Sequence, residues 1–208
     1  MKKIVFYSFM LMFIFGCATT YKGSVTGYGG QGTYGDMTYD FIITDNIRTD
    51  LEAMGYVASM ENQLKCINWI RNSKSSEYVI ALAFGVTGAE KSDEPKARVG
   101  GGIGFFGGSM GSGISLGTFL GSSSGSSGGK EYVKFLDVKL FEKDRTDSTP
   151  LWQGKIVSTD ENMTLAEVMP VLIKYAVENF GRSTDGSREF TFDATDEEIR
   201  ALEECSTD

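Results

Sequence analysis

The chain has 208 residues, of which 20 are Lys or Arg, 28 are Asp or Glu and none is His, so its net charge at pH 7 is −8. This acidic balance argues against binding to nucleic acid and against electrostatic attachment to anionic lipid. Without histidine, the Ser-His and Cys-His nucleophile pairs and the common zinc ligand sets are excluded, and we expect no catalytic residue, metal or cofactor.

The first 16 residues have the pattern of a signal peptide. Two lysines precede an uncharged apolar run from Ile4 to Phe15, which is shorter than the roughly 20 residues of a transmembrane helix. Ile14, Phe15, Gly16 and Cys17 follow an aliphatic-x-small-Cys order that resembles the lipobox of bacterial lipoprotein precursors. The resemblance implies cleavage between Gly16 and Cys17 and acylation of Cys17 with diacylglyceryl and a fatty acid such as palmitate.

An acylated Cys17 predicts a lipid-anchored envelope protein, because stable attachment to a membrane requires at least two acyl chains. By the same resemblance, Ala18 after the cysteine implies sorting to the cell outer membrane, with the domain facing the periplasm. Removal of residues 1–16, with Lys2 and Lys3, leaves 192 residues and changes the net charge from −8 to −10. The alternatives are a secreted protein with an incidental cysteine and an uncleaved anchor helix.

The first mature segment, residues 18–37, is rich in Gly, Thr and Tyr and lacks helical periodicity. We expect a flexible tether that leads into an edge strand. A helix is predicted next, beginning at Thr44 or Asp45 and ending at Gly55. Its apolar face is expected to contain Ile47, Leu51 and Met54.

Apolar patterning then predicts a second short helix and three strands. The helix is indicated by apolar residues at helical spacing, with Trp69 beside them as a core residue; they are Leu64, Ile67 and Ile70. The sequence EYVIALAFGVTG predicts a buried central strand. The alternating sequence EYVKFLDVKLFEKD predicts a strand whose even-numbered residues face the core, and LWQGKIVST its antiparallel partner.

Two capping boxes predict the start of two C-terminal helices. Thr164 and Glu167 precede a strongly apolar helix that ends at Gly181, and Thr195 and Glu198 precede a short acidic helix. The sequence REFTFD between them predicts an edge strand.

An uncharged segment from Val99 to Gly129 contains half of the glycines of the chain. Glycines recur every four residues in parts of it, as in membrane helices that pack closely, so one interpretation is a segment that enters the bilayer or packs between subunits. The other interpretation is a flexible excursion between neighbouring strands, because apolar side chains are sparse and Gly is unfavourable in helices.

Two cysteines remain after Cys17 is modified. An oxidising periplasm permits a disulfide bond between Cys66 and Cys205. The alternative is a buried Cys66 on an apolar face and an exposed Cys205 near the C-terminus.

Taken in order, the mature segments resemble bacterial lipoproteins with a DUF4136-like domain. The resemblance extends from about Tyr39 to Phe180 and depends most on the Leu-Trp-x-Gly sequence at Leu151, Trp152 and Gly154. It implies an α+β fold, with a small, mostly antiparallel sheet and two main helices packed on one face, plus a Gly-rich excursion and a C-terminal extension. It implies no catalytic residues.

The resulting domain organisation has four parts. Residues 1–16 are the signal peptide, residues 17–38 the lipidated cysteine and tether, and residues 39–182 the DUF4136-like domain with a Gly-rich insertion at 99–129. Residues 183–208 are an acidic C-terminal extension.

Three functions remain open at the level of the sequence. The first is a non-enzymatic outer-membrane lipoprotein that acts as an adaptor or structural component of an envelope assembly with protein partners. The second is a periplasmic binding module for a small apolar or lipid ligand. The third is a hydrolase that uses acidic residues, which requires a clustered pair of buried carboxylates that the sequence does not identify.

Overall fold

The computed structural model describes residues 18–30, 34–89, 131–146, 149–160 and 162–203. These ranges contain seven strands: β1 (Thr19–Gly29), β2 (Met37–Ile42), β3 (Trp69–Arg71), β4 (Tyr78–Ala89), β5 (Glu131–Glu142), β6 (Trp152–Ser158) and β7 (Arg188–Ala194). They also contain four helices: α1 (Asp45–Thr49), α2 (Leu51–Cys66), α3 (Leu165–Glu178) and α4 (Asp196–Glu203). In the described part of the chain, no helix has the length and apolar character needed to span a membrane.

The seven strands form one mixed sheet in the order β3-β2-β4-β5-β6-β1-β7. Strand β2 pairs in parallel with both β3 and β4, whereas the other neighbouring strands are antiparallel. The expected fold, a small and mostly antiparallel sheet with two main helices, is therefore wrong. The sheet is larger because β1 and β7, near the two ends of the described residues, add strands to it, and four helices accompany it.

The parallel part of the sheet arises from a helical crossover between β2 and β3. Parallel neighbours cannot be joined by a tight turn, and α1 and α2 supply the connection. Asp50 interrupts the predicted single helix, because its backbone is extended and its carboxylate accepts hydrogen bonds from the N–H groups of Glu52 and Ala53. The new helix α2 continues through Gly55, and Leu51 lies 92% exposed rather than on an apolar face.

The expected tether over residues 17–38 instead contains β1, which pairs with β6 on one side and β7 on the other. The glycines of this segment allow another part of the backbone to pack closely against it. A Cβ at Gly27 would overlap the carbonyl oxygen of Arg182, and a Cβ at Gly30 would overlap that of Gly181. The expected C-terminal extension likewise contributes β7 to the same sheet, so both segments belong to the folded domain.

The main hydrophobic core lies between one face of the sheet and helices α2 and α3. The even-numbered residues of β5 face it, as predicted, and Leu136, Val138 and Leu140 are buried there. The predicted central strand is confirmed as β4. Trp69 is buried, as expected of a core residue, but it lies in β3 because α2 ends at Cys66.

Helix α3 begins at the predicted capping box. Thr164 accepts a hydrogen bond from the N–H of Glu167, and the Glu167 carboxylate accepts one from the N–H of Thr164. Glu198 and Thr195 make the equivalent pair of bonds before α4. The predictions that concern Gly16, Cys17, the segment from Gly100 to Gly129 and Cys205 lie outside the described residues.

Candidate functional site

An open groove of about 550 Å³ lies where the C-terminal end of α3 meets β1, β3 and the start of β7. Its walls combine aromatic and aliphatic side chains with charged residues at the rim. The lining residues are Val25, Tyr34, Ile67, Trp69, Tyr175, Val177, Glu178, Asn179, Phe180, Arg182, Arg188, Glu189 and Phe190. We take this groove as the candidate functional site, because binding sites are typically concave and apolar with a few polar groups.

Stacked and edge-to-face rings hold the wall of the groove in place. Phe180 stacks on Trp152 with ring centroids 4.4 Å apart and meets Trp69 edge to face at 4.7 Å. Tyr175 stacks on Phe190 at 3.9 Å, which joins α3 to β7. Aromatic pairs in these arrangements are stabilising beyond the area that they bury. The rings that line the groove are therefore held by packing against one another.

The segment after α3 is fixed to β1 by hydrogen bonds to Gly27. The N–H of Thr184 donates to the Gly27 carbonyl and the N–H of Gly27 donates to the Thr184 hydroxyl, both at 2.9 Å. The indole N–H of Trp152 donates to the Arg182 carbonyl at 3.0 Å. Gly181 has φ +74°, which lets the chain reverse there. These contacts hold the backbone of Arg182 at the groove.

Burial also changes the acidity of two tyrosines at the groove. Burial raises the pKa of Tyr175, and the nearby Glu178 carboxylate raises it further. Burial raises the pKa of Tyr34, and the nearby Tyr78 raises it further. Both phenols therefore stay neutral at physiological pH. The formal charge at the groove comes from two exposed arginines and two exposed glutamates, which are Arg182, Arg188, Glu178 and Glu189.

A polar cluster lies on the sheet face opposite α3. Asp137 on β5 lies across from Lys155 on β6, and the Gln153 amide donates to its two carboxylate oxygens at 3.3 and 3.4 Å. Burial raises the pKa of Asp137, although Lys139, Lys155 and the Gln153 hydrogen bond act in the opposite direction. One carboxylate beside two amines does not provide the paired carboxylates that an acid-base hydrolase requires.

The described residues contain no group of three or more His, Cys, Asp or Glu side chains that could hold a metal ion. Of the site residues expected from the sequence, only Cys66 lies within them. Cys66 is exposed at the end of α2 and takes part in a disulfide bond, so the alternative of a buried Cys66 is wrong. Its pairing with Cys205 stays a prediction, because both remaining cysteines lie outside the described ranges.

Sequence reasoning did not find the groove. Its residues come from five separate parts of the chain, and no spacing pattern connects Tyr34 with Trp69 or Arg188. Trp69 and Trp152 were expected as core residues, and each is at most 2% exposed. Trp69 lines the groove only together with side chains from distant parts of the chain, so the groove depends on tertiary structure.

The chain matches no protein-family model. It matches no curated protein sequence either. Similar solved structures exist, and one is a PDZ domain protein from Parabacteroides distasonis, with 12% sequence identity and a TM-score of 0.51. The match covers 90% of this chain and 41% of that protein, so this chain spans about two fifths of its length. At this identity the similarity concerns the fold alone.

Two structures of a PelC dodecamer from Paraburkholderia phytofirmans are also similar to the chain. Their identities are 13% and 14% and their TM-scores 0.43 and 0.42. Each match covers 78% of this chain and 99% of PelC.

Proposed function

We propose that the protein is a non-enzymatic lipoprotein of the cell envelope, acylated at Cys17 and anchored in the outer membrane. Its folded domain acts as an adaptor or structural component of an envelope assembly. The observation that carries the proposal is the position of β1. Ala18 alone separates Cys17 from Thr19, where β1 begins, so an acyl group on Cys17 would be joined almost directly to the sheet.

The groove supports a role in binding another protein. It has an aromatic floor and a rim of Arg and Glu side chains, which is the usual arrangement of a protein interface with an apolar centre and a polar rim. Aromatic residues and arginine also contribute most often to the binding energy of such interfaces. The packing of the aromatic rings against one another lowers the entropic cost of binding, because fewer side chains need to be ordered.

A small apolar or lipid ligand is the second candidate for the same groove. The observation that favours it is the volume of about 550 Å³, which falls within the range of sites for small molecules. The charged rim favours the protein partner over a purely apolar ligand, because burying four charged side chains against hydrocarbon would be unfavourable.

The anchor is tested by intact-mass analysis of the protein from fractionated membranes, with Cys17→Ser as the control. We expect the wild type to lack residues 1–16, to carry acyl mass on Cys17 and to be in the outer membrane. We expect the variant to lack acyl mass and to leave that fraction. An unmodified full-length chain in the wild type would disprove the lipoprotein assignment.

The groove is tested with a photoreactive benzoylphenylalanine in place of Ile67 or Ile70. Ile67 lines the groove and is 39% exposed, whereas Ile70 is 64% exposed and is not among the lining residues. We expect a discrete protein adduct from position 67 and a much weaker one from position 70. A lipid adduct from position 67 would favour the ligand-binding alternative, and equal adducts from both positions would contradict a role for the groove.

A further inference from the structure

Five chain segments meet at one end of the sheet, which we call the proximal end. It is defined by Thr19 of β1, Ala194 of β7, Ser158 of β6, Glu131 of β5 and Ala89 of β4. Thr19 pairs with Ala194, and Glu131 pairs with Ala89. Because β1 is antiparallel to β6 and β5 is antiparallel to β6, the starts of β1 and β5 lie at the same end.

The register fixes how far each strand reaches toward the proximal end. Lys134, Ser158 and Gly23 form one row across β5, β6 and β1. Thr19 lies four residues beyond this row and Glu131 three residues beyond it, which correspond to about 13 Å and about 10 Å at 3.3 Å per residue. The starts of β1 and β5 thus lie at nearly the same level, with only β6 between them.

We infer that the proximal end faces the lipid bilayer and that the groove faces away from it. This inference rests on the proposed acylation of Cys17. Two residues of extended chain span at most about 7 Å, so an acyl group on Cys17 holds Thr19, and with it the whole proximal end, close to the headgroups. Val25 at the groove lies six residues further along β1, about 20 Å from Thr19.

The sequence that joins β4 to β5 is consistent with this orientation. Because Ala89 and Glu131 both lie at the proximal end, the connection between them leaves and re-enters the domain on the side of the bilayer. It contains no charged residue from Val99 to Gly129. Seven charged residues lie in the rest of the connection: Glu90, Lys91, Asp93, Glu94, Lys96, Arg98 and Lys130. Charged side chains are unfavourable next to hydrocarbon, so only the uncharged part, residues 99–129, suits the side of the domain that meets lipid.

The short connection, rather than electrostatic attraction, accounts for the orientation. Carboxylates near the proximal end accept hydrogen bonds within the domain: Asp193 accepts from the Thr20 hydroxyl at 2.6 Å, and Asp160 accepts from the N–H of Lys22 at 2.9 Å. These two carboxylates gain nothing from anionic lipid. The orientation should therefore depend on the spacing between Cys17 and β1 and should persist at high salt.

Tyr132 and Tyr28 provide a matched pair for testing the orientation. Tyr132 is the second residue of β5, at the proximal end, and is 46% exposed. Tyr28 is near the far end of β1 and is 45% exposed. Each is replaced by photoreactive benzoylphenylalanine in the full-length protein, in cells whose phospholipids carry an alkyne-tagged fatty acid. The expected result is a several-fold higher yield of lipid adduct from position 132 than from position 28.

The mass of the Cys17 peptide is measured in the same samples, so that the two proposals fail separately. Absence of acyl mass disproves the lipoprotein assignment and the orientation with it. Acyl mass together with equal lipid adducts, reversed adducts or no adduct from position 132 overturns the orientation and leaves the lipoprotein assignment standing.

A linker variant separates orientation from mere attachment. A flexible Gly/Ser linker of about 20 residues, which spans about 25 Å on average, is inserted between Ala18 and Thr19. Acylation should be retained, and the lipid adduct from position 132 should fall to the level of position 28. A yield that stays high with the linker would mean that the short connection does not set the orientation.

Discussion

At the scale of single residues, the Leu-Trp-x-Gly sequence has a packing explanation. Trp152 and Gly154 are two residues apart on β6 and lie on the same face of the sheet. The Trp152 ring covers Gly154, and a Cβ at Gly154 would overlap carbon atoms of that ring. Trp152 is fully buried, stacks on Phe180 and donates to the Arg182 carbonyl. The glycine is therefore required by the position of the tryptophan, which supports the groove from below.

We predict that Gly154→Ala lowers the free energy of unfolding by about 1–3 kcal/mol, because the Trp152 ring must move in a well-packed core. Gly55→Ala is the matched control. Gly55 lies inside α2 with nothing within 4 Å of the added Cβ, so this variant should be more stable by about 0.4–1 kcal/mol. Urea denaturation checks both values, and a neutral Gly154→Ala would contradict this account of the motif.

At the scale of elements, Arg71 of β3 joins helix α2 to strand β2. Its guanidinium donates to the Asp40 carboxylate at 3.1 Å and to the Glu61 carboxylate at 3.0 Å. Burial, the largest single effect, would raise the pKa of Glu61, but the hydrogen bonds from Arg71 and Lys65 together with the charges of both side chains outweigh it and lower the pKa. Because β3 has only three residues, these side-chain bonds add to the few positions at which it pairs with β2.

We predict that Arg71→Gln lowers the free energy of unfolding by about 1–3 kcal/mol at pH 7, since it leaves the partly buried Asp40 carboxylate without its cation and leaves Glu61 with Lys65 alone. The pKa of Glu61 is lowered in the folded protein, so its contribution is present above the ordinary value of 4.5 and is lost as the pH falls through the lower folded value. The difference between wild type and variant should therefore shrink below pH 4.5.

Thermal or urea denaturation at pH 7 and at acidic pH measures this difference, with Lys65→Gln as the control. Lys65 also pairs with Glu61 but its side chain is 53% exposed, so its removal should cost at most about 1 kcal/mol. A loss in Arg71→Gln that is independent of pH would indicate lost packing rather than lost charge pairing.

At the scale of the whole molecule, one end of the sheet is next to the proposed anchor and the other carries the groove. The C-terminal segment returns to the proximal end as β7 and then crosses the helices as α4, which contacts both α2 and α3. Cys66 is the last residue of α2, and Cys205 follows the described end of α4 by two residues. A disulfide bond between Cys66 and Cys205, which stays a prediction, would tie the C-terminus to the helical layer.

We predict that peptide mapping without reduction recovers a linked peptide that contains Cys66 and Cys205. Cys205→Ser should lower the free energy of unfolding by about 2–4 kcal/mol under oxidising conditions, because the bond closes a long loop. The loss should disappear when both proteins are measured in reductant. A peptide that links Cys66 to Cys17 would contradict this pairing and also the acylation of Cys17.

The sequence alone determined the elements whose signals are local. The alternating pattern of β5 placed Leu136, Val138 and Leu140 in the core, and the reciprocal hydrogen-bonding residues Thr164 and Glu167 located the start of α3. These signals succeed because strand alternation and helix capping act between residues two to four positions apart. The pattern of Ile14, Phe15, Gly16 and Cys17 is also local, and the acylation of Cys17 that it indicates stays a prediction.

Only the tertiary structure decided the size and mixture of the sheet, the pairing of β1 and the location of the groove. The segment that contains Gly27 and Gly30 has the composition of a flexible tether. These two glycines instead allow the backbone of residues 181–184 to approach closely, and no local pattern predicts that contact. The common position of Thr19, Ala89 and Glu131 likewise follows from strand register. Contacts between distant segments bury the apolar surface that makes the fold stable, and these contacts determine which end of the domain carries the groove.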